Sequence, residues 1–396
     1  MFSKIINKIP EALSIYFNQI VYDQKSSGVD IITLSLGEAY FDIPLFDFKN
    51  LDLNKIHHYT SSLGLEKLRQ KLSKYYLNNY KSKFDHQKEI LISTGSKPLI
   101  YMAIKSIIDP GDEVVVLEPA WLSYKEQITL CGGKTKFINF DENIENINKY
   151  ISNKTKLIIV NNPNNPSGKI YSKKELKYLI KFCIKKKIWL LVDEAYSDFV
   201  SKNFMSALHF NKSKKFLIVV NSLSKNLGIS GWRIGYIISN KSLIDKILIL
   251  NQHIITCAPS ILMYYLAEYF EKIIKITKPQ IKLLLQKRDN IRKILDKKKI
   301  KYLKGDTTFY FFIDLNSYKI NCYNFCMYLL IKEKIAVVPG KAYGDNTENF
   351  IRMSIGTETE DRILYAIDII KKVLKENKFE KELIYLKKKF NIKKIN

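Results

Sequence analysis

Asn221-Ser222-Leu223-Ser224-Lys225-Asn226-Leu227-Gly228-Ile229-Ser230-Gly231-Trp232-Arg233-Ile234-Gly235-Tyr236 follows directly on a strand-like run, Phe216 to Val220. Lys225 is flanked by Ser222, Ser224 and a glycine-bearing turn, and Arg233 stands eight positions later. Hydroxyls and a guanidinium are donors for phosphate oxygens, and the planar Arg fork suits them bidentately. An amine must be neutral to attack a carbonyl, and burial beside cations lowers a lysine pKa. The pattern suits an imine-forming lysine beside a phosphate cup, although a surface-loop lysine in isolation would read the same way.

Working outward, the neighbouring segments repeat one design. Strand-like runs at Glu89 to Ile92, Glu113 to Leu117, Leu157 to Val160, Trp189 to Val192 and Phe216 to Val220 end in Gly, Pro, Asn, Asp or Ser. Between them Lys97 to Ile108 and Ser172 to Lys187 carry helical periodicity. Alternating strands and helices predict a mainly parallel sheet covered on both faces, with ligands at the carboxyl ends of its strands. At those ends stand three further candidates. Asp193, in Asp193-Glu194-Ala195-Tyr196, can pair with a protonated pyridine nitrogen and keep the ring an electron sink, with Tyr196 placed for the ring's phenolic oxygen; an Asp there is also a common helix N-cap. Asn161-Asn162-Pro163-Asn164-Asn165-Pro166-Ser167-Gly168 is a rigid loop in which an Asn-Pro bond can be cis, and Asn165 would present its amide to cofactor or substrate. Thr94-Gly95-Ser96-Lys97 opens a helix, so the amides of Gly95, Ser96 and Lys97 can bind phosphate.

The chain of 396 residues exceeds the size of one growing core, so a large domain with a smaller one packed on it is expected. Residues 45–275 read as the large domain; 1–44 and 276–396 read as an N-terminal arm plus a small α+β domain. In the latter, a long basic helix after about residue 276 precedes strand-like Phe309 to Leu315, Ile335 to Val338 and Ile351 to Ile355, then a helix from Glu358 to Leu374. Residues 377–396 are lysine-rich and read as a surface helix or frayed extension. No apolar run is long enough to span a bilayer. The net charge of +26 raises nucleic acid as a partner, but the lysines are scattered along the chain and read as a solvated coat. Cys131, Cys183, Cys257, Cys322 and Cys326 fit neither a metal site nor a disulfide framework, and the start of the chain has no secretory pattern, so a cytoplasmic protein with reduced thiols and no metal is expected.

Taken together, these motifs resemble the fold type I pyridoxal-5′-phosphate (PLP) enzymes, specifically the class I/II aminotransferases that include aspartate aminotransferase. The resemblance runs from Ile31 to about Val373. It rests also on Leu34-Ser35-Leu36-Gly37-Glu38, Tyr59 with Gly64, Asp109-Pro110-Gly111-Asp112-Glu113, Glu118-Pro119-Ala120-Trp121 with Tyr124, Val338-Pro339-Gly340 and Arg352-Met353-Ser354. It implies an α/β/α sandwich with a mainly parallel, seven-stranded sheet. Lys225 would carry PLP and shuttle the proton between substrate α-carbon and cofactor. Asp193 would hold the pyridine nitrogen, Asn165 and Tyr196 the phenolic oxygen, and Trp121 the ring face. Ser222, Ser224, Arg233 and the amides around Ser96 would clasp the phosphate. Tyr59 would reach the phosphate in a neighbouring subunit, making a homodimer with shared sites. Arg352, Asn165 and the backbone of Gly37 would clamp the substrate α-carboxylate. Ala39, Tyr40 and Ser35 depart from the usual Pro, Asp and Gly. Lys105 stands where some aspartate-acting members carry a lysine for the distal carboxylate, but in so lysine-rich a chain the favoured reading is an ordinary exposed helix lysine.

The expected reaction is ping-pong transfer of an amino group from an L-amino acid, aspartate first and aromatic or alanine next, to a 2-oxo acid such as 2-oxoglutarate. A β-elimination lyase, racemase or decarboxylase on the same fold is the alternative, because the same lysine and aspartate serve each. A basic nucleic-acid-binding or regulatory protein is the remote one. His57, His58, His86, His209 and His253 lie in none of these motifs.

Overall fold

In chain order the strands are β1 (Ile32–Thr33), β2 (Ile90–Ser93), β3 (Glu113–Leu117), β4 (Lys134–Ile138), β5 (Thr155–Asn161), β6 (Trp189–Asp193), β7 (Leu217–Ser222), β8 (Gly235–Ile238), β9 (Tyr310–Asp314), β10 (Ile335–Ala336), β11 (Val338–Pro339) and β12 (Phe350–Ser354). The computed structural model describes residues 2–201, 204–376 and 378–389. Val114 to Val116, Leu157 to Val160, Leu190 to Val192 and Leu217 to Val220 are wholly buried. Such unbroken apolar runs occur where helices cover both faces of a sheet.

These runs form the centre of a seven-stranded sheet of order β2-β8-β7-β6-β5-β3-β4. Neighbours from β7 to β4 are parallel, and β8 runs antiparallel between β2 and β7. One edge therefore gathers the ends of β2, β5, β6 and β7 and the start of β8, where Gly235 pairs with both Ser93 and Ser222. Three strands escape the sequence reading, the two-residue β1 and two members of the seven-stranded sheet. β4 lies at the sheet edge with Lys134 and Lys136 on it, a charge pattern that blunts edge pairing and hides the strand. β8 is four residues long and begins in glycine.

The long helix is Ser260–Lys297 and starts well before residue 276. Its buried positions Met263, Leu266, Phe270, Ile273, Thr277, Ile281, Leu284, Arg288, Ile291 and Leu295 follow one stripe, so apolar periodicity outweighs the interior Pro279. Beyond it, β11-β12-β9 form an antiparallel sheet and β10 pairs in parallel with β1. The expected strand Ile335 to Val338 is thus two short strands that change partner at Val337. The last helices are Glu360–Glu376 and Phe379–Lys389. The second of these packs rather than frays: Phe379, Leu383 and Leu386 are buried, and Glu382 accepts from Tyr328 Oη (2.9 Å) and pairs with Lys332. Asn377 and residues 390–396 of that expected extension lie outside the described residues. No described helix is long and apolar enough to cross a membrane.

Candidate active site

The sheet edge opens into a cavity of about 210 Å³ between the two layers. Ser96, Lys97, Trp121, Asn165, Asp193, Tyr196, Ser222, Ser224, Lys225, Arg233, Gly37 and Arg352 all line it. Each arrives for a local reason. Ser222 ends β7 and caps the short helix Leu223–Asn226, accepting from the Ser224 N–H at 3.1 Å and placing Lys225 on its inner face. Arg233 has φ 58°, a left-handed backbone that β-branched residues avoid, and this turn returns the chain into β8. Its guanidinium donates to Ser230 O (2.7 Å) and reaches Ser224 Oγ (3.5 Å). Gly95 does not line the cavity but makes room for it. With φ +89°, a Cβ there would stand 2.6 Å from Arg233 Nη2. At Gly235 a Cβ would meet the Ser96 backbone nitrogen at 2.4 Å, so only glycine lets β8 abut the start of helix Ser96–Lys105.

Asp193 ends β6, buried, and is held at both oxygens. Tyr124 Oη donates to Oδ2 (2.7 Å) and the Ala195 N–H to Oδ1 (3.0 Å). Burial raises its pKa, opposed by those two hydrogen bonds and by the Lys225 charge. Lys225 is pulled down to about 8: burial is the largest cause, Arg352 and Arg233 add to it, and Glu38 and Asp193 oppose it. Its Nζ donates to Gly37 O. Asn161 Oδ1 accepts from the Asn165 N–H at 2.6 Å and orients that loop, in which both Asn-Pro bonds are cis. Asn165 Nδ2 donates to Tyr196 Oη (3.3 Å), and Tyr196 Oη lies 2.8 Å from Tyr310 Oη.

Arg352, on β12, reaches the cavity from the smaller sheet. Nη2 donates to Ser35 O, Nη1 stands 3.4 Å from Asn165 Oδ1, and Nε is buried without a partner among the described residues. The guanidinium lies over the rings of Tyr310 (4.7 Å) and Tyr343 (5.3 Å). Lys97 Nζ stands 5.2 Å from the Trp121 ring, with its pKa lowered by burial and by Arg233.

Besides Gly95, two sequence candidates fall outside the cavity. Tyr59 is 86% exposed, and Lys105 is an exposed residue at the end of its helix, whose cavity-lining lysine is Lys97. Lys105 lies eight positions beyond Lys97, more than two turns further along the same helix from the cavity. Tyr310, Asn161, Ser14 and Asn18 line the cavity without having been singled out, and Tyr124 had been noted only as part of a motif. Asp198 acts from behind, accepting from Tyr75, Tyr80 and, at 2.7 Å, from Asn226 beside Lys225. Tyr124, three residues beyond Trp121, and Asn161, at the head of the Asn-Pro loop, carried a sequence signal; the others meet by folding alone.

Glu194, next to Asp193, is wholly buried with Oε1 accepting from the Ala207 N–H (2.7 Å) and Oε2 unpartnered. Burial lifts its pKa to about 8. A carboxyl raised in the fold gives stability that is complete below its unfolded pKa and is lost as pH rises through about 8. Glu194→Gln should therefore flatten the thermal stability profile between about pH 6 and pH 9, where the wild type loses at most ~3 kcal/mol on this account. Parallel melting curves of the two proteins across that range would refute this role for Glu194.

A family model described as aminotransferase class I and II matches residues 30–370. The aspartate aminotransferase of Thermotoga maritima is 28% identical over 94% of this chain and 99% of its own length. A (5-formylfuran-3-yl)methyl phosphate transaminase of Methanocaldococcus jannaschii is 33% identical over 88% of this chain and 93% of its own. Among solved structures, the Thermotoga maritima aspartate aminotransferase superposes with a TM-score of 0.83 at 25% identity, covering 94% of this chain and 100% of that one. The seven-stranded sheet with its lysine-bearing edge, and a family match over most of the length, lead to one assignment: the chain belongs to the class I and II aminotransferases and is a transferase of amino groups.

Proposed function

We propose that this aminotransferase works with PLP carried on Lys225, and moves the amino group of an L-amino acid, aspartate first, to a 2-oxo acid such as 2-oxoglutarate. The observation that carries this reading is the charge of the cavity. Among the described residues that line the cavity, four cations, Lys97, Lys225, Arg233 and Arg352, stand with one carboxylate, Asp193, an imbalance that suits a phosphate and substrate carboxylates. The unpartnered Arg352 Nε and the space kept open at Gly95 beside Arg233 are further signs of fit. When bound, PLP supplies an aldehyde for imine formation and an electron-accepting pyridine ring.

The residues would divide the work as follows. Arg233, Ser222, Ser224 and the amides at Gly95, Ser96 and Lys97 hold the phosphate. Asp193, kept as an acceptor by Tyr124 and Ala195, holds the pyridine nitrogen, while Asn165 and Tyr196 hold the phenolic oxygen. Trp121 covers the ring face. Arg352, Asn165 and Gly37 fix the substrate α-carboxylate and so aim the Cα–H bond at Lys225. Lys225, with a pKa near neutrality, takes that proton as amine and returns it as ammonium. Lys97 is a further cation of the cavity lining, which suits a substrate with a second carboxylate, and several relatives are named aspartate aminotransferases. The exposure of Tyr59 supports its service to a second subunit, and with it a homodimer; residues 45–275 would form the large domain of each chain.

Because Lys225 must be neutral to attack, PLP loading onto the cofactor-free protein should accelerate about tenfold per pH unit below about 8 and level off above it, followed by absorbance. A screen of half-reactions tests the function. Aspartate and glutamate should convert the yellow loaded protein to its pyridoxamine form. Failure of every amino acid to do so would overturn the proposal.

A further inference from the structure

Two hydrogen-bond chains meet on the Tyr196 hydroxyl. In the first, Arg352 Nη1 faces Asn165 Oδ1 (3.4 Å), which leaves the Asn165 amide N–H to donate to Tyr196 Oη (3.3 Å). In the second, the Tyr196 and Tyr310 oxygens lie 2.8 Å apart, a contact in which either could donate. Chemistry decides between them. A phenol has one proton and two lone pairs. Among the described residues, Tyr196 Oη is the only hydrogen-bond partner of the Tyr310 hydroxyl, whose residue is wholly buried. Both residues line the cavity, so burial does not set the direction; a Tyr196 proton given to a ligand oxygen, as proposed above, leaves only the Tyr310 proton to make the 2.8 Å contact. With Tyr310 and Asn165 both donating, both lone pairs of Tyr196 are used. Its own proton then has only the cavity to address, which Tyr196 lines.

We infer that Tyr310 is a positioning residue that commits Tyr196 to act as a donor toward an anionic oxygen in the cavity. On the PLP reading, on which this inference rests, that oxygen is the phenolic oxygen of the ring. Packing fixes Tyr310 for this task. Arg352 lies over its ring at 4.7 Å, and a Cβ at Gly37 would stand 3.2 Å from its hydroxyl, so glycine leaves it just enough room. The charged groups around the pair are Arg352, Asp193 and Glu38, with Lys225 and Arg233 next to them. All of them stay in place when only a hydroxyl is removed.

Donation from Tyr196 stabilises negative charge on the ring oxygen and so weakens that oxygen's hold on the neighbouring imine proton. Loss of the donation therefore raises the pKa at which the Lys225-linked chromophore deprotonates. The experiment is an absorbance titration of PLP-loaded wild type, Tyr310→Phe, Tyr196→Phe and the double variant. Phenylalanine keeps the ring under Arg352, and equal melting temperatures would check the packing. Tyr310→Phe should raise the chromophore pKa by about 0.5–1 unit, the scale of one hydrogen bond. Tyr196→Phe should raise it more, and the double variant should match Tyr196→Phe alone, because Tyr310 acts only through Tyr196. An unchanged pKa in Tyr310→Phe, or additive shifts in the double variant, would overturn the inference. A wild type that forms no chromophore would instead overturn the PLP reading itself.

Discussion

Lys225→Ala will lower the rate of transamination by about 10⁴-fold or more, the upper range for removal of a positioned general base, and will end covalent attachment as well. Two properties of Lys225 converge in this expectation. Burial together with Arg352 and Arg233 brings its pKa to about 8, and the cap from Ser222 to the Ser224 N–H fixes the short helix that presents it. PLP should still bind the variant, because Arg233, Ser222, Ser224 and the Ser96 end of its helix are untouched. The checks are steady-state rates and reduction with borohydride followed by peptide mapping. Label retained at a different lysine, or activity within tenfold of wild type, would refute the assignment of Lys225.

Arg352→Ala should lower kcat/KM for every amino acid by roughly 30- to 5,000-fold, the equivalent of ~2–5 kcal/mol for truncating one side of a buried, hydrogen-bonded charge pair. Much of the guanidinium is free for a ligand, since Nε is buried without a partner and Nη1 makes only a long contact to Asn165. Arg352→Lys should recover little of the loss, because an ammonium lacks the planar fork that meets a carboxylate at two points. Kinetics with amino acids and with the corresponding amines separate this role from a structural one. The amines carry no carboxylate, so the variant should handle them as the wild type does. Equal losses for both substrate types would show that Arg352 does not bind the carboxylate.

Much of the site could be read before folding because its chemistry sits at the ends of strongly apolar runs. Asp193 closes Trp189–Asp193, Ser222 closes Leu217–Ser222, and Asn165 and Ser96 follow Thr155–Asn161 and Ile90–Ser93. A parallel sheet puts such ends on one edge, so strand order in sequence already implied a common cavity. The less legible features share a physical cause. β4 carries lysines at an edge, β8 is too short to show a period, and the helix Ser260–Lys297 hides its first turns in an unbroken apolar run, Ile261 to Ala267, that shows no helical period. Lys105 against Lys97 was a question of which end of one helix meets the cavity, and packing sets that.

The residues in their order already set the alternation of strands and helices, the lysine with its serine and arginine partners, Tyr196, and the family. Folding set which further hydroxyls back these groups. Tyr124 on Asp193 and Tyr310 on Tyr196 span 69 and 114 residues, and neither pair follows a local spacing. Local pattern reports on backbone preference and burial, whereas the direction of a hydrogen bond depends on which donors and acceptors the packed core leaves within reach.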